Sequence, residues 1–298
     1  MRLNGGEVTM EGLLNHHPGP RLPDDDGGAK RGRDYLAPED FQAGAGGGTH
    51  IENMRPFVDF VLENMVRETR IINGEAMVPS PDRAMVGIAS HGPLLAWIPL
   101  MAVVAKYLLD NNLGHLIGGM YPHRLVFLLP GAREFYRRIL GTPTGLDMDS
   151  LVESLRSGRI HITGTAPEGA YCNLAYDDYV APFQTRGMIA AAIKAGSDMC
   201  LLAHVGGEAW NRRLTLPFGW KVPLTKGLRG VNITLPPLFK APGYAVLCRR
   251  YTPFVTAEDM ERAGRRQARR LLAAEAERIR AELNGMTDEL RILSGGAR

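Results

Sequence analysis

A histidine and a glutamate, each at the end of an apolar run, are the side chains best placed to do chemistry. His91 lies in Ser90-His91-Gly92, directly after Ala84-Met85-Val86-Gly87-Ile88-Ala89. Glu168 lies in Ala166-Pro167-Glu168-Gly169-Ala170, directly after Arg159-Ile160-His161-Ile162-Thr163-Gly164-Thr165. A neutral imidazole abstracts a proton and returns it, and a carboxylate nearby orients groups or binds an acceptor. Both runs are short, apolar and β-branched, which reads as buried strand, and helix-like sequence resumes from Pro93. Strands near 84, 115, 159 and 199 alternate with helices near 95, 132, 150 and 188. That alternation predicts an α/β fold with a largely parallel central sheet and flanking helices. Open α/β sheets hold their ligands just beyond the strand C-termini, so one crevice would receive both motifs.

In type and order the motifs resemble the glycerolipid acyltransferase superfamily, the lysophospholipid and diacylglycerol acyltransferase-like enzymes, across residues 80 to 255. That family carries a His-x4-Asp block, a Gly-x-x-Phe-x-x-Arg block and a Pro-Glu-Gly block. An aromatic-to-glycine stretch then leads into a small-residue helix. Here the last part reads Phe183-Gln-Thr-Arg186-Gly187 through Gly196, followed by the strand Met199 to Val205. Gly118-Gly-Met-Tyr121-Pro-His-Arg124 fits the spacing of the middle block. The resemblance implies an acyltransferase-like fold with His91 as catalytic base and amides near Gly92 stabilising the oxyanion. It also implies substrate contacts from Gly92, Arg124, Pro167, Glu168 and Gly169. The implied reaction moves a fatty acyl group from acyl-CoA or acyl carrier protein to a lipid hydroxyl, with no metal and no tightly held cofactor.

Two positions depart from the family pattern: Ala96 stands where the first block has aspartate, and Ala170-Tyr171 where Thr-Arg often follows Pro-Glu-Gly. Without that aspartate, another carboxylate (Glu168, Asp177 or Asp178) or a main-chain oxygen must fix the tautomer of His91. The pattern also predicts that Ala96→Asp would preserve or raise activity, its carboxylate facing the imidazole one helical turn along. Two rival readings stay open. One is a lipid-binding pseudo-acyltransferase whose catalytic pair has lapsed, which Ala96 favours. The other is a serine hydrolase using Ser90, although the Gly-x-Ser-x-Gly elbow is absent because position 88 is Ile.

With 298 residues, 45% of them hydrophobic, the chain can bury a full α/β core. Residues 1–51, rich in Gly, Pro and Asp, are expected to form a disordered tail. Residues 52–256 read as the acyltransferase-like domain, and 257–298 as a charged helix and tail. Met54 to Arg70 has helical spacing, and so does Asp147 to Ser157. Cys172, Cys200 and Cys248 form no zinc pattern and read as core filler in a reducing compartment. The N-terminal residues show no positively charged start followed by an apolar stretch, so no secretory signal is expected, and the apolar run Pro93 to Ala105 is too short to span a bilayer. Between 209 and 257 every charged side chain is basic, and Trp210, Phe218, Trp220, Phe239, Tyr244 and Phe254 are interleaved with them. Together with the arginine cluster of 262–270, that composition predicts a cytoplasmic protein held peripherally at a membrane surface. No nucleic-acid recognition motif accompanies it, so no nucleic-acid partner is expected. The sign-alternating stretch Glu275 to Glu282 reads as solvent-facing.

Overall fold

The structure, a computed structural model, describes residues 49–92, 96–119, 148–173, 178–215, 230–234 and 239–294. Seven strands form one sheet: β1 (Thr49–His50), β2 (Thr69–Ile72), β3 (Met85–Ala89), β4 (Ile117–Gly119), β5 (Ile162–Thr165), β6 (Asp198–Val205) and β9 (Tyr244–Tyr251). Their order is β1-β4-β5-β3-β6-β9-β2. The neighbours β4–β5, β5–β3, β3–β6 and β9–β2 run parallel, while β1–β4 and β6–β9 are antiparallel. A separate hairpin pairs β7 (Asn211–Thr215) with β8 (Gly230–Thr234). The largely parallel α/β fold is thus as the alternation of elements predicts.

Helices cover both faces, which is why β3 is apolar on every residue rather than on every second one. On β3, Met85 and Ala89 join the core under α1 (Arg55–Asn64) and α2 (Trp97–Asp110). Val86 and Ile88 point the other way, into the core under α3 (Met148–Arg156), α4 (Gly187–Ala195) and the long α6 (Arg265–Leu293). β6 splits in the same manner, with Cys200 and Leu202 on the first side and Met199, Leu201 and Ala203 on the second. All three cysteines are buried and unpaired.

Three expectations need correction. The helix predicted to run to Arg70 stops at Asn64, because Thr69–Ile72 pairs with Tyr244–Leu247 as an edge strand. The later half of the C-terminal helix is not solvent-facing. Ala276, Ile279, Leu283, Met286 and Leu290 recur at helical spacing and are all buried. Burying each of the larger ones stabilises the fold by about 1.5–3 kcal/mol. Glu275 goes in with them, its carboxylate accepting from Tyr251 Oη at 2.6 Å and the Phe254 amide at 3.2 Å. The arginines ahead of that stretch, Arg262, Arg265, Arg266, Arg269 and Arg270, are exposed.

The basic, aromatic segment 209–257 is likewise not one surface. Trp210 and Tyr244 are core residues, and β9 is an inner strand of the sheet, between β6 and β2. Arg249 pairs with Glu282 and Glu289, and Arg250 with Asp198. Among the described residues of this segment, those pointing outward include Phe254, stacked under the Arg278 guanidinium at 3.1 Å, and Arg212, Leu214, Ile233, Phe239 and Lys240. The predicted N-terminal tail before residue 49, the helix near 132, Arg124, Asp177, Phe218 and Trp220 lie outside the described residues.

Candidate active site

Strand pairing brings the two motifs together. β3 and β5 are parallel neighbours with Ile88 opposite Thr165, so His91 and Glu168 each stand three residues past the same rung. The contact is direct: the His91 amide donates to Glu168 Oε1 at 2.6 Å, and the Ala181 amide donates to Oε2 at 2.8 Å. Glu168 is 1% exposed and turns both oxygens towards the main chain. Burial pushes its carboxyl up to about 7, against the opposing pull of those two amides and the more distant Arg280. Its place in this geometry is to tie the His91 loop to the segment after the Pro-Glu-Gly turn. The His91 amide is thereby occupied, so it is not among the donors that could face an oxyanion.

The rest of the Pro-Glu-Gly turn is bound just as tightly. Pro167 is buried, and its carbonyl accepts from the Gln184 and Thr185 amides at 2.7 and 3.0 Å. Gly169 has φ +54°, with its amide donating to Ala166 O at 3.3 Å. The C-terminal helix α6 braces the far side: Asn284 Oδ1 accepts from the Val180 amide at 2.9 Å, and Arg280 pairs with Asp178 at 2.7 Å. A chain of polar contacts therefore runs from α6 through 178–181 and Glu168 to His91.

His91 itself is half-buried, and burial lowers its pKa from the usual value. Its Nδ1 lies 2.8 Å from Gly92 O. A carbonyl oxygen only accepts, so Nδ1 carries the hydrogen and Nε2 keeps its lone pair. Of the candidates that sequence logic raises for fixing this tautomer, the main-chain oxygen does it. Glu168 takes the amide rather than the ring, and Asp178 is engaged by Arg280. Trp97 flanks the imidazole with ring centroids 6.5 Å apart.

Ala96 packs against two glycines. It is 1% exposed, and its Cβ sits where any side chain on Gly92 or Gly207 would go. A Cβ built on Gly92 would come within 2.9 Å of it and one on Gly207 within 2.5 Å. A carboxylate at position 96 would crowd Gly92 and Gly207, so Ala96→Asp is expected to cost stability. Gly92 is required twice over, by this crowding and by its φ of +58°. Ser90 is fully buried and its Oγ has no partner, which removes it as an accessible nucleophile and with it the serine-hydrolase reading.

Two residues that sequence reasoning leaves aside reach the same place. His204 near the end of β6 and Tyr244 at the start of β9 are both buried behind the His91 loop. The signal that marks them is a polar side chain at the edge of an apolar run, His204 late in Met199–Val205 and Tyr244 ahead of Ala245–Cys248. Among the described residues, no cluster of His, Cys, Asp or Glu could hold a metal.

Compared with protein-family models and with curated protein sequences, the chain gives no match. Among solved structures it is similar to the crystal structure of the 1-acyl-sn-glycerophosphate (LPA) acyltransferase PlsC from Thermotoga maritima. That likeness stands at 16% identity and a TM-score of 0.43, over 78% of this chain and 79% of that one. The chemistry available to the site is accordingly set by its own residues.

Proposed function

We propose that the protein is an O-acyltransferase that moves a fatty acyl group from acyl-CoA or acyl carrier protein to a lipid hydroxyl, with His91 as general base. The observation that carries this reading is the Nδ1 contact with Gly92 O, which leaves Nε2 as the basic nitrogen. In the proposed step Nε2 takes the acceptor's hydroxyl proton as its oxygen attacks the thioester carbonyl. The tetrahedral intermediate collapses with loss of the C–S bond, and the imidazolium returns the proton to the departing thiolate. The step as written uses neither metal nor bound cofactor. Burial supports it by lowering the imidazole's pKa, which favours the unprotonated ring that can accept a proton.

The acceptor and donor classes come from the motif resemblance. Peripheral membrane contact is proposed for the outward-pointing Arg212, Leu214, Ile233, Phe239 and Lys240 and for the arginines of 262–270. Among the described residues, no helix is long and apolar enough to cross a membrane.

The test is transfer of labelled acyl chains from acyl-CoA to vesicle-borne lysophospholipid or diacylglycerol. His91→Ala is expected to lower the rate by 10²- to 10⁴-fold at unchanged melting temperature, the usual range for loss of a general base. Full activity in that variant would remove His91 from the mechanism. A folded wild-type protein that binds acyl lipid but transfers nothing from either donor would establish the pseudoenzyme reading instead.

A further inference from the structure

We propose that His204 and Tyr244 are positioning residues for His91, holding main-chain carbonyls before and after it, at Ser90 and Ala96; this rests on reading His91 as the base. Ser90 directly follows β3, and Ala96 directly precedes α2. His204 Nε2 lies 2.7 Å from Ser90 O, and Tyr244 Oη lies 2.8 Å from Ala96 O. The two side chains also meet each other, with Oη 2.9 Å from His204 Nδ1 and the rings stacked at 5.6 Å between centroids. One buried pair thus grips the carbonyl on either side of the catalytic turn.

Topology explains why these residues arrive there. β6 flanks β3 on the side away from β5, with Ala89 opposite Leu202, so His204 draws level with His91. β9 runs antiparallel to β6, which brings its first residue, Tyr244, to the same end. The hydrogen inventory fixes roles as well. Ser90 O can only accept, so Nε2 of His204 carries the hydrogen and Nδ1 is an acceptor. The single hydroxyl hydrogen of Tyr244 then faces two acceptors, Ala96 O and Nδ1. Any tilt of the His204 ring is felt next door, because Gly92 leaves room for no more than a hydrogen beside it. A Cβ on Gly92 would stand 3.2 Å from His204 Cε1. Gly92 O is the atom that sets the tautomer of His91. Displacing a reacting group by a fraction of an ångström is costly, whereas a merely packed core would need no buried polar pair at this point.

The experiment uses the full chain labelled with ¹⁵N-histidine, with the His91 ring signals assigned by their loss in His91→Ala. Tyr244→Phe removes one oxygen. It is expected to convert the single Nδ1–H tautomer of His91 into an averaged mixture and to lower kcat about 10-fold at unchanged KM. Tyr251→Phe, the same deletion at the other end of β9, is expected to move neither. His91 signals and kcat that stay at wild-type values in Tyr244→Phe, or move equally in Tyr251→Phe, would overturn the proposal. If Tyr244→Phe does not fold, His204→Gln keeps a donor for Ser90 O while losing the tyrosine. Unchanged His91 signals there would overturn the proposal too. Loss of the fixed tautomer in a protein whose wild type transfers no acyl group would uphold the positioning role and defeat the acyltransferase reading alone.

Discussion

Asp198 opens β6 at one end of the sheet, and its carboxylate accepts from the Ser80 amide at 3.0 Å and from Ser80 Oγ, with Arg250 at 2.7 Å and Arg83 at 3.4 Å. Glu168 sits past β5 at the other end, where two amides are its direct partners and Arg280 acts only from a distance. Partial burial alone would raise Asp198, but the Ser80 bonds and the Arg250 guanidinium together hold it below the usual carboxylate range. Burial wins at Glu168 and lifts it to about 7. The first carboxylate is neutralised where it stands and has nothing left to offer. The second, like the His91 ring beside it, has main-chain groups as its direct partners. Such an arrangement costs stability and fixes geometry, which is the trade expected where a loop must be aimed.

The comparison breaks most readily at Ala96. If the strand C-termini are packed around a precise loop, Ala96→Asp should cost about 3–5 kcal/mol in urea unfolding, since it forces an unpaired carboxylate into a space already filled by Gly92 and Gly207. A variant as stable as wild type would show that the loop has slack.

The two carboxylates should also give stability opposite slopes with pH. Between about 4.5 and 7 the native state keeps a proton on Glu168 that the unfolded chain has lost. Its contribution is therefore fully present below 4.5 and lost as pH rises through 7, on the order of 3 kcal/mol. Asp198 behaves in reverse: its contribution is present above 3.8 and lost as pH falls through its lower native value. Unfolding free energies of wild type and Glu168→Gln at pH 5 and pH 8 isolate the first slope. If the drop with rising pH survives in Glu168→Gln, it belongs to another group.

The smallest effect is expected at the satisfied end. Asp198→Asn should lower stability by about 1 kcal/mol, because its arginine partners are partly solvated, and leave kcat within twofold of wild type. A tenfold loss of kcat there would mean that the two ends of the sheet are coupled.

Local pattern determined a good deal about this protein. Apolar runs of strand length ending in Ser-His-Gly and Pro-Glu-Gly located β3 and β5, helical spacing located α3 to within a residue, and the motif resemblance pointed to α4. Periodicity and turn chemistry depend only on near neighbours, so they survive in a single sequence. The tertiary structure decided whatever depends on who sits beside whom. The β3–β5 register turned two distant motifs into one hydrogen bond, and β9 emerged as a core strand only once β6 and β2 flanked it. The alternating charges of α6 concealed a buried stripe, since Arg249 answers some of its glutamates and Tyr251 takes in Glu275. Ala96 looked like a missing aspartate in the sequence and is a packing contact in the fold, because its space belongs to Gly92 and Gly207. His204 and Tyr244, 40 positions apart, acquired a common role only when antiparallel pairing set them against one loop. Non-local pairing is chosen by burial and register across the whole sheet, and no window of neighbouring residues contains that information.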